Sequence, residues 1–251
     1  MVSKPILSPQ EAVGLIEPGH SVMIGGFLAC GSPQGLIDAL AEAGTSDLTL
    51  IANDTAVYDA KSGTTTGLAS LVVNKQFSTL IVSHIGTNAE TQRQLNDGET
   101  TVELVPQGTL AERIRAAGAG LGGVLTPTGV GTEVEDNKQV ISVGETRYLL
   151  EQALGADVAI VKARKGDKAG NLVYSKSARN FNPLMASAAK TVIAEVEELV
   201  EIGDIDPEAV VTPSIFVTHI VPTTQQLGAS DGLHTQQRDH SATHRSVLSD
   251  R

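Results

Sequence analysis

A short apolar segment that runs into a glycine-rich loop and then a proline constrains the fold of this chain most strongly. Residues 22–33 read VMIGGFLACGSP. Glycines allow positive φ and close approach of the backbone to a ligand. A helix that starts at Pro33 would present free N–H groups and the positive end of its dipole to the loop. The pattern predicts a strand, a turn that can hold an anion and a helix, with an ordinary tight turn as an equal alternative.

Composition narrows the class of protein. The chain has 251 residues, enough for one large or two small domains with a substantial core. Aromatic residues make up only 3%, so Ala, Val, Ile and Leu must fill the interior. The net charge of −11 argues against binding to nucleic acid or to an anionic membrane surface.

The single cysteine and the absence of long apolar runs indicate a cytoplasmic protein. Cys30 cannot form an internal disulfide, and without a nearby base it is expected to be a small buried residue. The first residues lack the apolar core of a signal peptide, and no run reaches the ~18 apolar residues of a membrane span.

Apolar segments alternate with helical patterns along the first part of the chain. This spacing indicates βαβ units, and therefore an α/β fold with an open, mostly parallel sheet flanked by helices. Strands are predicted at 21–26, 47–53, 77–83, 102–105, 157–162 and 191–196. Helices are predicted from a Ser8–Glu11 capping box, at 33–43, 66–75 and 89–96, from a Thr109–Glu112 capping box to 117, and at 183–190.

Two segments depart from this alternation, so the sheet is expected to be mixed. The glycine-rich run 118–131 predicts a loop, and 139–143 with 146–150 predicts a hairpin around Gly144. From residue 223 the composition turns polar, which predicts a domain over 1–222 and a flexible tail over 223–251. The tail's histidines have no rigid frame, so no metal site is expected there.

Gln107 is the candidate catalytic residue, because it follows a predicted strand and opens a helix. Loops at the carboxyl ends of parallel strands face the ligand crevice, and an amide N–H there suits an oxyanion. A glutamine that only closes the turn is the somewhat favoured alternative at this point. His84 is taken to satisfy backbone groups in a loop.

Basic residues concentrate in one region of this acidic chain. They suit a phosphate or carboxylate, although a solvated face or a subunit contact is slightly favoured. The six are Lys162, Arg164, Lys165, Lys168, Lys176 and Arg179.

Four motifs together carry a family resemblance. They are GGFxxxGxP at 25–33, PQGTLAERIR at 106–115, LTPTGxGT at 125–132 and SARNFN at 177–182. Over about residues 4–222 the chain resembles the alpha subunit of family I, 3-oxoacid-type CoA-transferases. One departure is Pro18 before Gly19, where the family usually has Asp or Asn.

The resemblance implies reversible transfer of CoA from an acyl-CoA to a carboxylic acid through a glutamyl-CoA intermediate. The family's nucleophilic glutamate lies in a Ser-Glu-Asn-Gly motif of the beta subunit, and no glutamate here precedes Asn-Gly. The chain is thus expected to need that subunit, in an α2β2 complex, and to hold no permanent cofactor, CoA being a substrate. By the resemblance Gln107 is the oxyanion-hole glutamine, and Arg179, Asn180 and Asn182 lie near the site. The residues matching the CoA-binding loop are Gly25, Gly26, Phe27, Leu28, Ala29, Cys30 and Gly31.

The substrate stays open. Residues 51–56 and 83–88 resemble acetate/butyrate–acetoacetate transferases, which favours short-chain monocarboxylates. The alternatives are a succinyl-CoA:3-oxoacid or 3-oxoadipate transferase subunit, or a non-catalytic subunit that binds CoA or a sugar phosphate. A self-sufficient hydrolase would need a nucleophile that the sequence does not offer.

Overall fold

The computed structural model describes residues 2–223, and a parallel sheet with helices on both faces dominates it. The strands are β1 (Ser21–Ile24), β2 (Leu48–Asp54), β3 (Tyr58–Asp59), β4 (Thr64–Thr65), β5 (Phe77–His84), β6 (Thr101–Leu104), β7 (Gly123–Thr126), β8 (Val140–Val143), β9 (Thr146–Gln152), β10 (Ala156–Asp167), β11 (Leu172–Val173), β12 (Ala189–Val200) and β13 (His219–Pro222). The helices are α1 (Pro9–Val13), α2 (Gln34–Ala43), α3 (Ala69–Val73), α4 (Ala89–Asn96), α5 (Gln107–Gly118) and α6 (Asn182–Ser187).

The main sheet has the order β13-β12-β10-β1-β2-β5-β6. Its neighbours along this path are all parallel, and β11 adds one antiparallel pairing to β10. The predicted α/β class and the mixed sheet are therefore confirmed. The chain leaves β1 toward β2, β5 and β6, and returns on the other side through β10, β12 and β13. The strand order reverses beside β1, where open α/β sheets bind their ligands.

The core has two layers, one on each face of the sheet. One cluster packs α1, α2 and α3 on one face through side chains such as Leu36, Leu40 and Leu71. The other packs α5 and α6 on the opposite face through Leu110, Ile114 and Met185. These fully buried aliphatic side chains fill the interior, as the low aromatic content requires.

A second, three-stranded antiparallel sheet corrects one sequence prediction. The hairpin of β8 and β9 is confirmed, with Val143 paired to Thr146 around Gly144. The run 118–131 is not a loop throughout, because β7 lies within it and pairs with β9 from Gly123 to Thr126. Pairing to a distant strand overrides the local glycine signal here.

The helix starts show one capping box that forms and one that does not. Ser8 accepts from the Glu11 N–H, and Glu11 accepts in return from the Ser8 N–H. The predicted Thr109–Glu112 box is wrong, since α5 begins at Gln107 after Pro106 and Thr109 lies buried in its first turn. The boundaries of α1 and α3 are shorter than predicted, and β10 and β12 are longer.

The first turn of α2 already holds an anion of the chain itself. The Leu36 N–H donates to Glu195 Oε2 at 3.0 Å, and Glu195 lies almost fully buried on β12. Burial raises the pKa of this carboxyl, while the hydrogen bond from the Leu36 N–H works in the opposite direction. The expected anion site at this helix start is therefore wrong, because Glu195 occupies it.

Most of the predicted tail, residues 224–251, lies outside the described residues. Thr223 is described, and its hydroxyl donates to Glu195 Oε1 at 3.2 Å. Within residues 2–223 no helix is long and apolar enough to cross a membrane.

Candidate functional site

The glycine-rich loop after β1 folds into a tight, left-handed turn. Phe27 and Cys30 exchange two backbone hydrogen bonds of 3.0 and 2.9 Å, so Leu28 and Ala29 are the central residues of a reverse turn. Both adopt positive φ, at 46° and 71°, which costs non-glycine residues roughly 1–2 kcal/mol each. Such strain persists only where surrounding contacts fix it.

A buried carboxylate at the end of β2 fixes this turn. Asp54 Oδ2 accepts from the Leu28 N–H at 3.0 Å and from Asn53 Nδ2 at 2.6 Å. Its other oxygen accepts from the Ala56 N–H at 2.7 Å. Asp54 is only 4% exposed, so these three donors compensate for the burial of its charge.

The segment 177–182 supports the loop from the side of β10. Asn182, which is fully buried, donates through Nδ2 to the carbonyls of Gly31 and Ala178, and its Oδ1 accepts from the Lys162 N–H at 2.9 Å. Asn180 donates to the Cys30 carbonyl at 2.9 Å. The expected proximity of both asparagines to the loop is thus observed.

The glycines of the loop are required because neighbouring groups occupy the space of a side chain. A Cβ at Gly25 would lie 1.8 Å from Asn182 Oδ1, and one at Gly31 would lie 2.8 Å from the Ala178 backbone. Gly26 and Gly31 also have positive φ. The loop is therefore a packed element between β1 and the 177–182 segment.

Gln107 joins the same network from the other side. It is the first residue of α5 and is exposed, and its Nε2 donates to Asn53 Oδ1 at 2.7 Å. Asn53 is buried and also accepts from the Ser83 hydroxyl, at its backbone oxygen and at Oδ1. Asn53 and Asp54 thus connect Gln107 to the glycine loop across the carboxyl ends of β1, β2, β5 and β6.

A carboxamide nitrogen carries two N–H groups. Asn53 uses one of those on Gln107, which leaves the second N–H for a ligand at the exposed edge of the sheet. A neutral donor held in this way is suited to stabilising an oxyanion.

Two other candidate residues differ from expectation. Cys30 is exposed, not buried, with Sγ 3.4 Å from the Ser177 hydroxyl, because the turn directs residues 27–30 outward. His84 ends β5 and is exposed, and its ring makes no hydrogen bond within residues 2–223. The expectation that it satisfies backbone groups is therefore wrong.

The basic cluster divides into two parts. Lys162, Lys165 and Lys168 on β10 form ion pairs with glutamates of β12, so they belong to a solvated, charge-balanced face. Lys176 and Arg179 lie instead in the short helical turn beside the glycine loop. These two bring positive charge near the site.

Sequence reasoning missed Asn53, Asp54 and Ser83 as parts of the site. The available signal was a polar pair at the end of an apolar strand that precedes a helix, which places polar groups at the carboxyl edge of the sheet. Their partners lie 26 to 54 residues away, so the hydrogen bonds could not be read from local spacing.

Comparison with known proteins assigns the chain to a family. The model of the family described as "Coenzyme A transferase" matches residues 6–223. The chain belongs to the coenzyme A transferase family. The match covers the main sheet, the glycine loop and Gln107.

Three relatives are similar over most of their length. The chain is 50% identical to the alpha chain of the acetate CoA-transferase of Escherichia coli K12, over 86% of this chain and 96% of the relative. It is 49% identical to the alpha chain of the acetoacetyl-CoA:acetate/butyrate CoA transferase of Clostridium acetobutylicum, over 88% and 98%. It is 46% identical to one of the subunits of a probable succinyl-CoA:3-ketoacid coenzyme A transferase of Bacillus subtilis, over 94% and 95%.

A solved structure shares the fold. An acyl-CoA transferase from Escherichia coli O157:H7, as a thioester complex with CoA, superposes with a TM-score of 0.78 at 21% identity. The match covers 89% of this chain but 48% of that one, so the chain spans about half the length of this relative.

The first prediction concerns the carboxylate that fixes the loop. Asp54→Asn replaces one acceptor oxygen by a donor, so at least one of the three buried N–H donors loses its partner. We expect the free energy of unfolding to fall by about 2 kcal/mol and the Leu28 amide to exchange faster with deuterium. Chemical denaturation and hydrogen–deuterium exchange measure these two effects.

Asp59→Asn is the matched control, because Asp59 accepts from the Lys61 N–H and the Ser62 hydroxyl at an exposed site. It should change the free energy of unfolding by no more than about 0.5 kcal/mol. Equal effects of the two substitutions would contradict the role given to Asp54.

Proposed function

We propose that this chain is the alpha subunit of a CoA-transferase that moves CoA reversibly between a short-chain acyl-CoA and a carboxylic acid such as acetoacetate. The observation that carries the proposal is the hydrogen-bonded pair Asn53–Asp54, which binds the carboxamide of Gln107 and the glycine loop at one edge of the sheet. The named alpha subunits among its relatives support it.

The chemistry requires a nucleophile from a second chain. No glutamate of this sequence is followed by Asn-Gly, the context of the nucleophile in this family. In the proposed reaction the beta subunit's glutamate attacks the thioester carbonyl and expels CoA thiolate, which leaves an acyl-glutamyl anhydride. The thiolate then attacks the glutamyl carbonyl and releases the first acid, giving glutamyl-CoA. The second acid reverses these steps.

Gln107 acts at the tetrahedral intermediate of the first attack. The thioester oxygen gains negative charge as the carboxylate adds to the carbonyl carbon. The N–H of Gln107 that Asn53 leaves free donates to this oxygen, and the hydrogen bond to Asn53 holds the amide in place. A donor fixed before the reaction stabilises the transition state without a cost of reorganisation.

The loop from Gly25 to Gly31 contacts CoA in this proposal. Phe27 and Leu28 keep 42% and 41% of their surface exposed at its tip, which suits the apolar part of the pantetheine arm. Lys176 and Arg179, in the adjacent turn, offer positive charge to the phosphates of CoA.

The relatives divide between acetate or butyrate and succinyl-CoA as partners of a 3-oxoacid. The likeness of residues 51–56 and 83–88 to acetate/butyrate enzymes supports monocarboxylates, and a succinyl-CoA:3-oxoacid transferase is the alternative. Assays with acetyl-CoA and succinyl-CoA, each with acetoacetate as acceptor, separate the two. We further propose an α2β2 complex in the cytoplasm without a permanent cofactor, since Cys30 is the only cysteine.

The second prediction tests the division of labour between the two proteins. The chain alone should transfer no CoA, because it lacks the nucleophile, and addition of its beta subunit should restore transfer. Borohydride added after acyl-CoA should inactivate the complex and modify the beta subunit, since reduction of a glutamyl thioester requires this. Steady transfer by the chain alone would contradict the proposal, and an inactive but assembled complex would favour a CoA-binding module.

The third prediction concerns the oxyanion donor. Gln107→Ala in the complex should lower kcat by about a hundredfold, the typical effect of losing one such hydrogen bond. Gln92→Ala is the control, since Gln92 is another exposed glutamine whose amide donates only to nearby carbonyls on α4 and its preceding loop. Near-normal turnover of an assembled Gln107→Ala complex would remove Gln107 from the mechanism.

A further inference from the structure

A cleft of about 310 Å³ opens beside Gln107, between the first turn of α5 and strand β7. Gly108, the residue after Gln107, lines it, and a Cβ at Gly108 would meet nothing within 4 Å. The other lining residues are Thr109, Glu112, Val124, Leu125, Thr126 and Thr128. The cleft is therefore continuous with the proposed oxyanion site, and its walls mix apolar groups with hydroxyls.

Thr109 has an unused hydrogen-bonding group at this cleft. The residue is only 4% exposed, and its Oγ1 is buried without any hydrogen-bond partner in the described part of the chain. A buried hydroxyl without a partner costs roughly 1–3 kcal/mol, so natural structures rarely retain one without a use. This orphaned hydroxyl is consistent with a ligand that supplies the missing partner.

The start of α5 also lacks an internal cap. Pro106 precedes the helix and forms no side-chain cap, whereas Asn88 caps α4 and Glu195 accepts from the first turn of α2. Side chains of a helix lean toward its N-terminus, so Gln107 and Thr109 border the same helix end from different sides. A substrate across this end can contact both residues.

We infer that Thr109 is a specificity-determining residue whose hydroxyl donates to the 3-oxo group of a 3-oxoacyl substrate in this cleft. This inference rests on the proposed function. The reacting carbonyl lies against Gln107, and the 3-oxo carbonyl, two carbons along the acyl chain, lies on the side of Thr109. An unsubstituted acyl chain leaves the hydroxyl unpaired, so it binds less well.

The charge of the cleft favours a neutral carbonyl over a second carboxylate. Glu112 is the only ionisable residue in its lining, and its Oε2 is already paired with Arg115 Nε at 2.8 Å. An additional anion would be repelled by this carboxylate at close range. A ketone oxygen accepts a hydrogen bond from Thr109 without that repulsion.

The fourth prediction tests this assignment in the complex with the beta subunit. Thr109→Val keeps the shape of the side chain and removes the hydroxyl. The ratio of kcat/KM for acetoacetate to that for butyrate should fall about tenfold, the value of one hydrogen bond. Because the hydroxyl has no partner in the described part of the protein, Tm should stay equal or rise. Thr109→Ser keeps a hydroxyl and should retain the wild-type ratio.

Ser70→Ala is the matched control, since the Ser70 hydroxyl is likewise buried without a partner within residues 2–223 but belongs to α3, on the other face of the sheet. It should leave the ratio unchanged. An unchanged ratio in Thr109→Val, or an equal loss for both acids with a lowered Tm, would overturn the inference. Absence of any CoA transfer by the wild-type complex would instead contradict the proposed function.

Discussion

The hydrogen-bonded pair at the end of β2 is the interaction on which the site depends. Asp54 holds the N–H of Leu28, and Asn53 holds the amide of Gln107, so two segments far apart in sequence share one buried anchor. The parallel sheet makes this possible because it brings the carboxyl ends of neighbouring strands to one edge. Without the anchor, the turn at Leu28 and Ala29 would have to keep its left-handed backbone with one fewer hydrogen bond.

The position of negative charge near β1 distinguishes this site from a phosphate-binding loop. In such loops a helix N-terminus receives the ligand. Here Glu195 occupies the first turn of α2, whereas the first turn of α5 has no side-chain cap. The helix end that is available to a ligand is therefore the one that carries Gln107, and the glycine loop contributes shape more than charge.

The sequence was sufficient for features that depend on local patterns or on whole motifs. The alternation of apolar segments predicted the parallel sheet, and Ser8–Glu11 and Gly144 marked a helix start and a hairpin correctly. Gln107 and the loop 25–31 came from motifs, and the structure adds how they are connected.

Features that depend on tertiary contacts could not be predicted. Thr109 and Glu112 have the spacing of a capping box, yet Pro106 starts the helix earlier and packing buries Thr109 in the first turn. Strand β7 exists because β9 pairs with it, and Cys30 is exposed because of the turn that contains it. Each outcome is decided by residues distant along the chain, where local propensity is a weak guide.

A double-mutant cycle on Asn53 and Gln107 tests the central claim, that Asn53 acts by holding the amide of Gln107. The measured quantity is kcat for CoA transfer by the assembled complexes of Asn53→Ala, Gln107→Ala and the double variant. The account predicts that the double variant is about as slow as Gln107→Ala, since Asn53 has nothing left to position. Losses that multiply would show that the two residues act independently and would contradict it.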